Sequence, residues 1–183
     1  MSTATDNATS SEERNHRILI VDDNPAIHED FKKIFTATKP TEGNFEDVDA
    51  ALFGDQTVES SEHEFSLDSA YQGQEGLDLV RKANDSRAPY AMAFIDVRMP
   101  PGWDGIETIA RIWKEYPDLQ VVICSAYSDY SREDIMKKFG DTDRLVILKK
   151  PFDCTEVLKL VQTMLEKWQQ SQQGKQSPDH PVI

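Results

Sequence analysis

The chain has 183 residues, with 33 acidic against 20 basic side chains and a formal net charge of −13. That length allows one domain with a sizeable core, and 38% hydrophobic with 29% charged residues is a soluble globular balance. The acidic excess argues against a nucleic-acid-reading face and against a polybasic membrane patch.

No apolar stretch is long enough to span a bilayer. The polar opening MSTATDNATSSEERNHR lacks the apolar core of a signal peptide, and residues 1–15 read as a disordered tail. Cys124 and Cys154 lack CxxC spacing and fit a reducing cytoplasm better than a disulfide. His16, His28, His63 and His180 are scattered, which gives a zinc site little support.

The first apolar run, RILIV (17–21), is short, continuous and β-branched, as in a strand buried on both faces. Asn24 and Pro25 then read as a helix cap and a first-turn proline. Ile27, Phe31, Ile34 and Phe35 follow at helical spacing. FSLDSAY (65–71) is a second strand, and Leu77, Val80 and Ala83 mark a helix ending near Asn84.

AMAFI (91–95) is the third strand. Asp104 with Glu107 resembles a capping box, and Ile106, Ile109, Ala110 and Trp113 form the apolar face of the next helix, stopped by Pro117. LQVVICS (119–125) is the fourth strand, followed from Ser131 by a helix carrying Ile135, Met136 and Phe139 before Gly140. LVIL (145–148) is the fifth strand. Asp153 and Glu156 open a last helix with Val157, Leu160, Val161, Met164 and Trp168 on one face. Strands alternating with helices in this way predict an α/β fold with a parallel sheet covered on both sides.

In such folds chemistry collects at the carboxyl ends of the strands. Asp22 and Asp23 follow the first strand, Asp96 the third, Ser125 the fourth, and Lys149-Lys150-Pro151-Phe152 the fifth. Gathered carboxylates raise one another's pKa. A hard divalent cation such as Mg²⁺ removes the conflict. Each residue alone has an ordinary structural reading: Asp22 or Asp23 as a cap, Ser125 as a strand terminator, Lys150 as an ion-pair partner. Their joint order makes five independent accidents a poor explanation.

DD, D, S-A and K-P-F after the first, third, fourth and fifth strands resemble the receiver domain of bacterial two-component response regulators, chemotaxis regulators among them. MPPGWDG (99–105) resembles the family's MP…DG loop lengthened by one residue. The resemblance covers about residues 16 to 168. It implies a doubly wound, flavodoxin-like (βα)5 fold with strand order 2-1-3-4-5, and a receiver over 16–170 followed by a polar tail at 171–183.

It also implies roles. Asp96 would accept the phosphoryl group. Asp23, Asp96 and the backbone carbonyl of Arg98 would hold Mg²⁺, with Asp22 acting mainly through a metal-bound water. Lys150 would pair with Asp96 and then with a phosphoryl oxygen, and Ser125 would reach that oxygen through its hydroxyl. Arg98 and Tyr127 would shield the phosphoryl group from water. The signalling switch would involve Ser125, Tyr127 and position 147. There the aromatic that many receivers carry is replaced by Ile147, which puts the usual rotamer switch in doubt. Tyr127 or Tyr130 could supply an aromatic signal, although surface packing is the plainer reading of Tyr130.

The acidic segment 40–64 is a larger departure, since a plain receiver has a short turn there. It reads equally as a solvated spacer or as a short amphipathic helix built on Phe45, Val48, Leu52 and Phe53. The expected protein is a cytoplasmic phosphoacceptor rather than an enzyme acting on other substrates, served by a sensor histidine kinase or a histidine phosphotransfer protein. It would signal to a protein target through the helix 4/strand 5/helix 5 face, with no nucleic acid or membrane partner and a homodimer open. The alternatives are a module of a larger signalling enzyme, such as a hybrid kinase or cyclic-dinucleotide enzyme, or a pseudo-receiver that only binds. A dehalogenase-like phosphatase is disfavoured because Arg98 stands where a second acid is needed.

Overall fold

The computed structural model describes residues 17–37, 65–126 and 129–173. The segment 40–64, Tyr127 and the tail beyond 173 lie outside the described residues.

Strand β1 (Arg17–Val21) leads into helix α1 (Pro25–Ala37), followed by β2 (Ser66–Ala70) and α2 (Gly73–Asp85). Then come β3 (Met92–Asp96), α3 (Gly105–Glu115), β4 (Gln120–Ser125), α4 (Arg132–Phe139), β5 (Leu145–Lys149) and α5 (Cys154–Gln173). All five strands are parallel, in the order β2-β1-β3-β4-β5. This is the flavodoxin-like arrangement expected from the sequence. α5 continues through Gln173, past Trp168, where the expected apolar face ends.

Period-two alternation sends successive strand residues to opposite faces. Leu19, Val21, Ala93, Ile95, Val121 and Ile123 meet α2, α3 and α4 through Leu77, Val80, Ile106, Ile109 and Ile135. Ile18, Ile20, Met92, Phe94 and Val122 meet α1 and α5 through Phe31, Phe35, Val157, Val161 and Met164. Burying each large side chain contributes about 1.5–3 kcal/mol. The central strands β3 and β4 are buried at every residue. That double burial explains why their sequences run apolar without alternating.

The helices start where the sequence signals them. Asn24 Oδ1 accepts the Ala26 amide at 3.0 Å, Asp104 Oδ1 that of Glu107 at 2.7 Å, and Asp153 Oδ1 that of Glu156 at 2.8 Å. Ser131 and Asp134 form a reciprocal capping box at α4. Gly140 ends that helix with φ of 76°, in the left-handed range that glycine tolerates.

One boundary differs from expectation. The sequence places Asp96 just beyond the third strand, whereas β3 begins at Met92 and ends at Asp96, paired in register with Cys124. The ladder therefore holds the Asp96 backbone rigidly while its side chain leaves the sheet end. Between β1 and β3 the winding reverses, and a crevice opens at the carboxyl ends of these two strands.

Candidate functional site

Asp22, Asp23 and Asp96 meet at this crevice, and ligand oxygens from all three lie within 4.8 Å of one another. Asp22 is buried at the first position after β1, Asp96 is buried at the end of β3, and Asp23 is exposed. Lys150, the first residue after β5, reaches back across the sheet. Its Nζ lies 2.7 Å from Asp96 Oδ1 and 3.0 Å from Asp22 Oδ2.

The second oxygen of each buried carboxylate is held by a nearby amide. Asp96 Oδ2 accepts from Arg98 N–H at 3.0 Å and Asp22 Oδ1 from Asn24 N–H at 2.9 Å. Each carboxylate thus receives one backbone donor and a share of one ammonium, which fixes its orientation. Lys149 belongs to β5 and is exposed, so Lys150 is the lysine at the site.

Burial pushes the Asp96 carboxyl above the ordinary aspartate value. The Asp22 charge adds to that rise, while Lys150 and the Arg98 amide oppose it. For Lys150, burial acts against the charged form, but its hydrogen bonds to Asp96 and Asp22 outweigh it and hold the ammonium above its usual range. Three carboxylates facing one ammonium leave an excess of negative charge with oxygen donors only. That donor set suits a hard divalent cation.

Ser125, the last residue of β4, is fully buried, and its hydroxyl donates to the Ala126 carbonyl at 3.1 Å. Lys150 N–H donates to the Ser125 carbonyl at 2.9 Å, tying the ends of β4 and β5 together. The Arg98 side chain is 68% exposed and its Nε lies 2.5 Å from Asp129 Oδ1. Tyr130 is half-exposed and donates its hydroxyl to Asp104 Oδ2 at 3.0 Å. Ile147 sits mid-strand in β5, partly buried beside a groove of about 230 Å³ lined also by Ile135 and Met136 of α4. Tyr127 lies outside the described residues.

A buried histidine lies directly behind Asp22. His28 is almost completely buried on α1. Its Nε2 donates to the Asp22 carbonyl at 2.7 Å, and Ser69 Oγ lies 2.9 Å from Nδ1. In the sequence it is one of four scattered histidines, yet it falls on the helical face of Phe31 and Phe35, at i, i+3 and i+7. That spacing is the signal that could have found it.

Residues 55–162 match the response regulator receiver domain. β1 and the Asp22–Asp23 pair precede that stretch, and the fold sets them beside β3. Over 83 residues the chain is 35% identical to the DNA-binding transcriptional regulator NtrC of Klebsiella pneumoniae, covering 45% of this chain and 17% of that protein. It is 28% identical over 116 residues to the chemotaxis protein CheY of Listeria monocytogenes, covering 63% of this chain and 92% of CheY. A two component transcriptional regulator AraC from Clostridium phytofermentans superposes with a TM-score of 0.59 at 27% identity, over 85% of this chain and 97% of that one. The match to NtrC thus spans a small share of that longer protein. The chain belongs to the response regulator receiver domain family.

Proposed function

We propose that the chain is a Mg²⁺-dependent phosphoacceptor in which Asp96 receives the phosphoryl group. The observation that carries this reading is Lys150, whose ammonium lies between Asp22 and Asp96 while three carboxylates converge within 4.8 Å. In the transfer, the phosphorus–nitrogen bond of a partner's phosphohistidine breaks as an oxygen–phosphorus bond forms to Asp96. The electron pair of the broken bond returns to the imidazole nitrogen.

Asp23, Asp96 and the Arg98 carbonyl would hold the ion in this reading, with Asp22 assisting through a metal-bound water. When bound, Mg²⁺ offsets charge on the transferring phosphoryl oxygens. Lys150 moves from Asp96 to a phosphoryl oxygen, and the Ser125 hydroxyl turns from the Ala126 carbonyl toward the same group. The donor is a sensor histidine kinase or a histidine phosphotransfer protein. A protein target reads the change on the α4–β5–α5 face, with self-association through that face as one form of it.

The receiver unit begins near residue 16 and takes in all of α5, which runs through Gln173, three residues past the expected boundary at 170. Among the described residues no helix is long and apolar enough to cross a membrane. The chain's charge of −13 favours protein over nucleic acid as its own direct partner. A second reading, a receiver module of a longer signalling protein, draws on the match to only 17% of NtrC.

The deciding experiment is intact-mass detection of an adduct from a small acyl phosphate, with and without Mg²⁺, on the parent and Asp96→Asn. A Mg²⁺-dependent phosphoryl adduct absent from the variant is the expected result. An adduct that persists in Asp96→Asn overturns the assignment, and no adduct with either small donor or phosphorylated kinase makes the fold a binding module alone.

A further inference from the structure

The Ser125 hydroxyl at the end of β4 and the Ala126 amide just beyond it are both already engaged, and one acidic side chain organises the arrangement. Asp129 has a side chain only 4% exposed. Its Oδ2 accepts the Ala126 amide at 2.6 Å, and its own amide donates back to the Ala126 carbonyl at 3.2 Å. The same carbonyl takes the Ser125 hydroxyl at 3.1 Å. The other Asp129 oxygen, Oδ1, is held by Arg98 Nε at 2.5 Å, two residues beyond Asp96 on the β3–α3 loop. A second tie between the same two loops joins Tyr130 to Asp104.

We propose that Asp129 is a positioning residue that occupies the Ala126 amide as an internal anion, with Arg98 as its anchor, and that a phosphoryl group on Asp96 must displace it. The inference rests on the phosphoacceptor reading. A carboxylate and a phosphoryl oxygen make the same demand on a backbone N–H, so they compete for it. Arg98 couples the exchange to the chemistry. A phosphoryl group brings roughly −1.5 to −2 charges, and Arg98 is the adjacent exposed cation. Drawing the guanidinium toward that charge loosens Asp129, frees the amide and lets Ser125 turn. Asp129 therefore lowers the affinity for the phosphoryl group.

The test uses the full chain with Mg²⁺ and beryllofluoride, a non-reacting phosphoryl mimic, with binding followed by tryptophan fluorescence and amide NMR. Without the mimic, the parent's Ala126 amide proton is expected far downfield, and Asp129→Ala shifts it upfield. Loss of one charge-assisted hydrogen bond predicts beryllofluoride binding roughly tenfold tighter in Asp129→Ala. Asp129→Asn, which keeps an acceptor oxygen at reduced charge, falls between that variant and the parent.

Equal or weaker binding by a folded Asp129→Ala overturns the proposal. Should that variant unfold, the near-isosteric Asp129→Asn decides the matter: tighter binding supports the proposal and unchanged or weaker binding overturns it. A parent that binds no beryllofluoride defeats the phosphoacceptor reading itself, and the inference falls with it. That result differs visibly from normal parental binding that Asp129 does not influence.

Discussion

Gly105 lies so close to Asp96 that a Cβ at position 105 would stand 2.2 Å from the Asp96 carbonyl oxygen. The Gly105 amide meanwhile donates to the Val97 carbonyl at 2.8 Å, locking the start of α3 onto the end of β3. The opposing atom is backbone within a paired strand, so it cannot rotate aside as a side chain would. Gly105→Ala must push α3 and β3 apart, at a cost of about 1–3 kcal/mol or more. Because Asp96 is the residue displaced, its reaction with an acyl phosphate should slow as well. Urea unfolding checks the first effect and adduct formation the second; a change within about 0.5 kcal/mol would show that the backbones separate freely.

Removing the Lys150 ammonium should move two properties in opposite directions. Lys150→Met leaves Asp22 and Asp96 facing each other without the cation that now lies 2.7 and 3.0 Å from their oxygens. Mg²⁺ then enters a more negative site and should bind on the order of tenfold tighter, a figure discounted for solvent from the Coulomb energy of one charge at contact distance. On the proposed phosphoacceptor role, phosphoryl transfer should fall, since that ammonium would no longer meet the phosphoryl oxygens. Titration of Mg²⁺ by fluorescence, set beside adduct yield, separates the two. Weaker Mg²⁺ binding in a folded variant would contradict the charge argument.

Asp104 serves two neighbours at once. One oxygen caps α3 through the Glu107 amide at 2.7 Å and the other accepts the Tyr130 hydroxyl at 3.0 Å. Asp104→Ala should cost about 1 kcal/mol through the lost cap. Tyr130→Phe keeps the cap and removes only a half-exposed hydrogen bond, so it should cost less, about 0.5 kcal/mol. Paired denaturation curves test the assignment: Asp104→Ala loses the cap and the Tyr130 bond together, so nearly equal costs for the two variants would show that the link between the loops outweighs the cap.

What could be read in the sequence follows how locally each feature is encoded. The buried strands declare themselves as apolar runs, and their order along the chain leads to the sheet. Asp96 and Lys150 were legible because each stands at a strand end followed by a proline-containing loop. Asp129 was not, since its partners are a backbone amide three residues back and an arginine on another loop. A side chain that acts on backbone groups leaves no spacing pattern. His28 lies between these cases: its place on the buried face of α1 was readable, but its bond to the Asp22 carbonyl depends on how α1 sits against the end of β1. Gly105 stands in the sequence as the glycine of the MP…DG loop, but why no side chain fits there shows only in the approach of α3 to β3.

If Asp96 binds Mg²⁺ as proposed, its raised pKa ties that binding to pH with a definite sign. Burial is the chief cause, with Asp22 adding to it and Lys150 and the Arg98 amide opposing. A carboxyl whose folded-state pKa lies above its unfolded value of 3.8 binds more protons folded than unfolded through that window. The metal-free protein therefore loses stability as pH rises from the ordinary aspartate value through the raised one. The loss persists above the raised pKa, where the carboxylate is ionised and partly desolvated. Asp96→Asn removes that buried charge and should raise metal-free stability above the raised pKa, while leaving it nearly unchanged below the ordinary aspartate pKa. Mg²⁺ requires the ionised carboxylate, so below the raised pKa each ion bound displaces a proton. Its apparent affinity should accordingly begin to fall at a higher pH than an ordinary aspartate would dictate, and Asp96→Asn should bind more weakly with that inflection gone. Fluorescence titrations of Mg²⁺ across the acid range read the inflection directly. A parental affinity that stays flat down to the ordinary aspartate range would mean that solvent or Lys150 compensates the burial of Asp96 completely.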